Sequence, residues 1–366
     1  MRRFGDAARQ EYLAVGITQA LSPQADLATE PRWSRINGTF GEDAELAKRM
    51  VQAYIEGFQG GATGVRDGSV VAMVKHWAGY GATQEGFDSH NYYGRFMSYP
   101  GNNFAYHLKP FEGEFAAKVG SVMPTYALPD GDISVDGIKL DKVGAGFSKP
   151  LLTDLLRGKY GFDGVILSDW GITSDCDSNC RNGTPAGVAP PFIGFGTPWG
   201  MEDAGRRARF VRAVETGMDQ FDGERDASEL VAAVRQGTLS EARLAQSARR
   251  ILLQKFRQGL FGNTDFVKEG LGAQRRSLVL LESKQKVLPL AASVKKVYLY
   301  GISAAVAQQY GYTVVATPQE ADVALLRVQT PFETLHPNYM FGSMQHSGRL
   351  HEGGAEAMST ACRYRL

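Results

Sequence analysis

Gly161-Phe162-Asp163-Gly164-Val165-Ile166-Leu167-Ser168-Asp169-Trp170 sets a short apolar run, Val165 to Leu167, between a glycine-bounded turn and an abrupt polar end. A run of that length bounded by turn residues reads as a buried strand. Four further runs have the same character: Ile17 to Leu21, Val70 to Val74, Val119 to Met123 and Met218 to Phe221. Three of the five end directly in polar residues, with Val74 leading to Lys75-His76, Leu167 to Ser168-Asp169, and Phe221 to Asp222. Amphipathic helical stretches separate the runs, and alternating strands and helices are the signature of an α/β domain with a parallel sheet. In a barrel of such units the C-terminal strand ends carry the active site, so the repeated polar ends point to one shared mouth.

Two helices are legible between the strands. After Glu42-Asp43, the residues Leu46, Ala47, Met50, Val51, Tyr54, Ile55 and Phe58 form one apolar face. Ser240 reads as an N-cap, and the helix it opens is expected to bury Leu244, Ala248, Ile251, Leu252 and Phe256 against the sheet. From Gly259 to Arg276 the pattern breaks. The expected organisation is a barrel domain over 1–262, a linker over 263–276, and a second, partial α/β domain over 277–366 that contains an apolar helix at Ser277 to Leu290 and strands at Val297 to Tyr300 and Val323 to Val328.

Composition narrows the function. Forty basic side chains against 39 acidic ones leave no basic excess for tracking phosphates, which argues against a nucleic-acid partner. No run approaches the roughly 18 apolar residues of a membrane span, and Met1-Arg2-Arg3-Phe4-Gly5-Asp6 turns acidic before a signal-peptide core forms. Glycine contributes 43 of 366 residues, well above the usual share of about 7%, which favours a loop-rich enzyme. Cys176 and Cys180 stand close enough to bridge, a pairing that would imply an oxidising compartment, and no histidine or second cysteine pair nearby supplies zinc-ligand spacing.

An aspartate ending a buried strand and followed by tryptophan suits a carboxylate nucleophile beside a sugar platform. With Pro31-Arg32-Trp33-Ser34-Arg35, Val74-Lys75-His76-Trp77 and Ser121-Val122-Met123-Pro124-Thr125-Tyr126, the block resembles glycoside hydrolase family 3 in its β-glucosidase branch, from about Asp6 to Gly348. The resemblance implies a TIM-like (β/α)8 barrel followed by an α/β sandwich. It also implies a retaining, exo-acting enzyme that removes terminal β-linked glucose from glucosides or oligosaccharides without a cofactor or metal. It assigns Asp169 as nucleophile and Trp170 as the side wall of the next sugar subsite. Arg35, Lys75, His76 and Met123 become sugar-binding residues, and Tyr126 the partner of the nucleophile. Arg35 and Lys75, with Tyr126, are expected to keep that carboxylate ionised and the sugar oriented.

A retaining mechanism needs a second carboxyl about 5 to 5.5 Å away as acid/base. In the two-domain branch this is a glutamate of the sandwich, and Thr330-Pro331-Phe332-Glu333-Thr334 resembles its loop, which makes Glu333 the expected acid/base. The β-N-acetylhexosaminidase branch instead uses a histidine oriented by an aspartate. Asp88-Ser89-His90 is similar to that motif, although Tyr80 and a longer spacer depart from it. The family barrel also begins upstream of the segment equivalent to Asp6, and five strands stand against the usual eight. The expectation is therefore a barrel lacking its first segment, and an inactive truncated product is the third reading. For the full-length protein the resemblance points to a periplasmic or secreted location.

Overall fold

The computed structural model describes residues 1–185, 188, 196–261 and 288–327, together with the backbone of Glu333–Thr334 and Met344–Gln345. The chain divides into two compact units, and the described residues 1–261 belong to the first.

The first unit is organised by a parallel sheet whose order follows the sequence: β1 (Gln19–Ala20), β2 (Val71–Trp77), β3 (Ser121–Pro124) and β4 (Val165–Ile166). A parallel bridge from Leu167 to Gln220 adds a fifth strand position. All five expected strands are therefore found in one sheet, with their polar ends on its C-terminal edge. Between them the chain crosses back through the helices Ala44–Phe58, Phe104–Ala116, Pro150–Lys159 and Arg206–Thr216.

Both faces of this sheet are buried, which explains why its strands read as continuous apolar runs rather than alternating ones. Val70, Ala72 and Val74 alternate onto the outer face and pack with Val51, Ile55 and Phe58 in the main core. Met73, Met123 and Leu167 form a separate inner cluster with Trp170 against it. Lys75, Met123, Leu167 and Gln220 share one row of the ladder.

Asp43 caps the helix Ala44–Phe58 by accepting the Leu46 N–H at 2.7 Å, and its buried side carries Ala44, Ala47, Val51, Ile55 and Phe58. Leu46 lies outside that face and is exposed. The opening helix Arg2–Ala14 crosses it at two glycines: a Cβ on Gly57 would lie 2.2 Å from the Arg2 carbonyl, and one on Gly5 would lie 2.6 Å from the Tyr54 carbonyl. Backbones approach that closely only without side chains.

The helix Glu241–Arg257 corrects an expectation. Ser240 does cap it, accepting the Arg243 N–H, yet Ser247 is its buried residue, while Ala248, Leu252 and Phe256 are exposed. The helix lies along the N-terminal strand ends rather than on the sheet face, and polar contacts hold it there. Arg243 donates to the Met218 carbonyl, Ser247 to Asp219, and the Gln258 amide, just past its end, to the carbonyls of Thr18 and Ser69. Asp219 is itself fully enclosed, taking the Arg157 and Arg250 guanidiniums and the Ile166 N–H.

In the second unit Lys296–Tyr300 (β5) lies between Thr313–Val315 (β6) and Val323–Leu326 (β7) in a parallel sheet, with the helix Ala304–Gln309 in the crossover. Two of these strands were expected, and Thr313–Val315 was not. The expected helix at Ser277 to Leu290 and the linker at 263–276 lie essentially outside the described residues. No helix among the described residues is long and apolar enough to cross a membrane. Cys176 and Cys180 form a disulfide with Cα atoms 5.2 Å apart, in the loop that follows β4.

Candidate active site

The C-terminal ends of β1 to β4 and the loops that leave them bring one set of polar side chains together. Asp169 follows the end of β4 and is 6% exposed, with one oxygen accepting the Trp170 N–H at 2.8 Å. Trp170 packs on the inner cluster, and its ring lies directly over Gly223, where a Cβ would stand 2.6 Å from Cδ1. Tyr126, just beyond β3, is enclosed. Burial pushes its hydroxyl well above the usual phenol range, as do the charge of Asp169 and a hydrogen bond to it, so it remains a donor.

His76 lies where the register shifts between Lys75 and Trp77. Its Nε2 is 3.7 Å from Asp169 Oδ2 and 3.1 Å from an Arg35 terminal nitrogen, while its Nδ1 is 2.8 Å from Asp26 Oδ2. Arginine has donors and no acceptor, so Nε2 must accept and the ring proton sits on Nδ1, facing Asp26. The other Asp26 oxygen accepts the His76 backbone N–H at 3.3 Å. Desolvation, with Arg35 and Lys75 nearby, holds His76 well below the ordinary imidazole range. His76 is thus a neutral ring that steadies Arg35, not a cation paired with Asp169. Burial raises Asp26 to about 7, with Arg35 acting in the opposite direction.

Arg35 also stands 5.3 Å from the centre of the Tyr80 ring. Burial opposes its charge, but Tyr80 and the carboxylates of Asp88, Asp169 and Asp26 outweigh that and keep it protonated. Burial, then the repulsion of Arg35, lowers Lys75 below the usual amine range, while Asp169 and Asp26 oppose the shift.

A second buried group lies one loop away. Asp88 accepts the Trp33 indole N–H at 2.9 Å and the Tyr80 hydroxyl at 2.8 Å, and bonds the His90 Nδ1 and backbone N–H. Burial works to raise its pKa, but the His90 contacts and Arg35 more than offset this and hold it well below the usual carboxylate range. The His90 ring meets Tyr126 edge-on at 4.8 Å, which links this pair to the surroundings of Asp169. Trp33 is 1% exposed and serves as packing, with its N–H on Asp88.

The structure therefore gathers Arg35, Lys75, His76, Asp88, His90, Met123, Tyr126, Asp169 and Trp170 around one mouth. Glu333 falls in a two-residue strand, Glu333–Thr334, described only by its backbone. Asp26 was missed in the sequence reading. Its signal was a lone aspartate between the short strand at Ile17 to Leu21 and the Pro31-Arg32-Trp33 motif, a position that strand periodicity does not flag.

Comparison with known proteins places this arrangement. The model of the glycosyl hydrolase family 3 N-terminal domain matches residues 1–253. A periplasmic β-glucosidase/β-xylosidase of Dickeya chrysanthemi is 50% identical over 364 residues, covering 96% of this chain and 55% of that protein. β-Glucosidase C of Emericella nidulans is 42% identical over 369 residues, covering 94% and 56%. The chain spans about half the length of these relatives. Among solved structures, the β-glucosidase of Listeria innocua superposes with a TM-score of 0.55 at 24% identity, over 89% of this chain and 48% of that one. By family model, relatives and fold, the chain belongs to glycosyl hydrolase family 3, and its first unit is of that family's TIM-like barrel type.

Proposed function

We propose that this chain carries the nucleophile and sugar clamp of a retaining, exo-acting β-glycosidase of β-glucosidase type, acting on terminal β-D-glucosyl groups. The observation that carries the reading is Asp169 at the end of a parallel strand, enclosed by the Tyr126 hydroxyl and by Arg35, which His76 steadies. In this reading Asp169 attacks the anomeric carbon from below the ring, forming a glycosyl ester as the bond to the leaving oxygen breaks, and water later hydrolyses the ester. Tyr126 holds the carboxylate in line, Arg35 and Lys75 grip hydroxyls with His76 beside them, and Trp170 walls the following subsite next to Met123. The names of the relatives support glucoside over xyloside or mixed use only in part, so β-glucosides are the first substrates to try.

We assign the acid/base to Glu333, which would protonate the leaving oxygen and then deprotonate water, and divide the chain into a barrel at 1–262, a linker at 263–276 and a partial sandwich at 277–366. The alternative acid/base is the His90–Asp88 pair, but the relatives' names do not favour the hexosaminidase branch. A periplasmic or secreted location fits the Cys176–Cys180 bridge and the periplasmic relative.

The test is labelling with a 2-deoxy-2-fluoro-β-glucoside, applied to the 366-residue chain and to a form carrying whatever its native transcript encodes on either side. Mass spectrometry should find the sugar on Asp169, and Asp169→Asn should lose essentially all turnover while keeping its fold. Label on another carboxylate refutes the assignment.

A further inference from the structure

A carboxyl that the reading above does not use stands next to Asp169. Leu167 pairs with Gln220, so two residues further along the same ladder Asp169 faces Asp222. The intervening bonds agree: Gln220 N–H donates to the Ile166 carbonyl, Ser168 N–H to the Gln220 carbonyl at 2.9 Å, and Asp222 N–H to Ser168 Oγ at 3.0 Å. Side chains alternate along a strand. Phe221 turns outward onto Phe210 of the preceding helix, 4.8 Å between ring centres, and Asp219 is enclosed by arginines on that outer side. Asp222 is therefore on the inner face with Leu167 and Asp169. Neighbouring strands lie about 4.8 Å apart, which places two carboxyls side by side at the mouth.

Two such groups do not both ionise readily. Burial first, and then the charge of Asp169, raises Asp222 to about 7. Glu224 on the same turn offers no relief, being held by Thr173 and Arg206, and the cations Arg35 and Lys75 act on Asp169.

We propose that Asp222 is a further substrate-binding residue, whose protonated carboxyl donates a hydrogen bond to a hydroxyl of the sugar held over Asp169. It rests on the reading of Asp169 as nucleophile. The proton stays on Asp222 while Asp169 is charged; ionisation of Asp222 removes the donor and sets a second negative charge beside the attacking carboxylate. Turnover should therefore decline as Asp222 ionises.

The test compares Asp222→Asn, which keeps a neutral donor, with Asp222→Ala in kcat/KM across pH on an activated aryl β-glucoside. Ala should lose about tenfold at pH 6, Asn should retain more than Ala, and the wild-type fall centred near pH 7 should be absent from Asn. A readout independent of turnover is 13C-carboxyl titration by NMR: two aspartates, Asp26 and Asp222, should titrate near 7, and one of the two signals should vanish in Asp222→Asn and move to lower pH in Asp169→Asn. An unchanged alkaline fall in Asp222→Asn, or Ala matching Asn, overturns the proposal. So does a loss confined to poor leaving groups and rescued by azide, which would make Asp222 the acid/base. Fluoroglucoside label on Asp169 in the wild type separates these outcomes from failure of the nucleophile assignment, which label elsewhere would establish.

Discussion

Asp26→Asn is the most discriminating single change, because it alters one oxygen in a fully enclosed cluster without altering its volume. Above about pH 7, where it is ionised and where the comparison is made, Asp26 presents two acceptors to His76, one to the ring Nδ1–H at 2.8 Å and one to the backbone N–H at 3.3 Å. Asparagine retains one acceptor and turns the other position into an N–H2 donor that faces a donor whichever way the amide rotates. If the amide faces the ring, His76 must move its proton to Nε2, where it opposes the Arg35 guanidinium 3.1 Å away. If it faces the backbone, an N–H is orphaned inside the protein. A buried unsatisfied donor costs about 1 to 3 kcal/mol, so Asn should lose about 1 to 3 kcal/mol of unfolding free energy. Where the defect reaches Arg35, it should also lose roughly five- to 150-fold in kcat/KM on an aryl β-glucoside. Asp26→Ala, which removes both acceptors, should lose more. Urea unfolding gives the first number and initial rates the second, with Asp132→Asn on an exposed loop as the control. If Asn equals the wild type within twofold in rate and about 0.5 kcal/mol in stability, His76 does not depend on Asp26 for its tautomer.

Other consequences are equally concrete. Glu333→Ala should hurt substrates with poor leaving groups far more than activated aryl glucosides and be rescued by azide; if His90→Ala shows that pattern instead, the acid/base is the His90–Asp88 pair. Gly223→Ala meets both a φ of +76° and the Trp170 ring, so KM for disaccharides should rise more than KM for aryl monoglucosides, and equal changes would detach Trp170 from the second subsite. Gly57→Ala should cost more than about 2 kcal/mol in urea unfolding by forcing the first two helices apart, and a loss under about 0.5 kcal/mol would show that the crossing can yield. Raising a buried carboxyl from its unfolded value near 3.8 to about 7 makes the native state hold its proton more tightly, so that stability falls as pH rises through that window. Asp222→Asn should accordingly match the wild type in unfolding free energy near pH 4 and exceed it at pH 8, and the reverse order would contradict the burial of Asp222 beside Asp169.

What the sequence revealed and what it hid divide along a physical line. Strands buried on both faces announce themselves as apolar runs, and the polar residues that end them are conspicuous, so Lys75, His76 and Asp169 were identifiable before any geometry was known. The helix Glu241–Arg257 misled because its apolar residues have helical spacing, yet the helix is held at the strand ends by Arg243, Ser247 and the following Gln258, and periodicity registers only apolar contacts. Leu46 misled for a related reason: an i, i+4 pattern fixes a face only to within one residue, and the deeper face ran through Ala47 and Val51.

Long-range pairing is what the sequence could not supply. Asp26 meets His76 across 50 positions, Trp33 meets Asp88 across 55, and Asp169 comes beside Asp222 only once Leu167 is known to pair with Gln220. These pairings decide the charge states. Asp88, among donors, is driven to the anion; Asp26, deeply buried, is raised to about 7, and Asp222 reaches the same value through burial and a neighbouring carboxylate. Three aspartates of the same intrinsic acidity are thus driven apart at one mouth, Asp88 towards the anion and Asp26 and Asp222 towards the protonated form. If Asp169 is the nucleophile, its attack removes the charge that, after burial, helps hold Asp222 protonated, so ester formation and the proton on Asp222 are coupled through a single strand register.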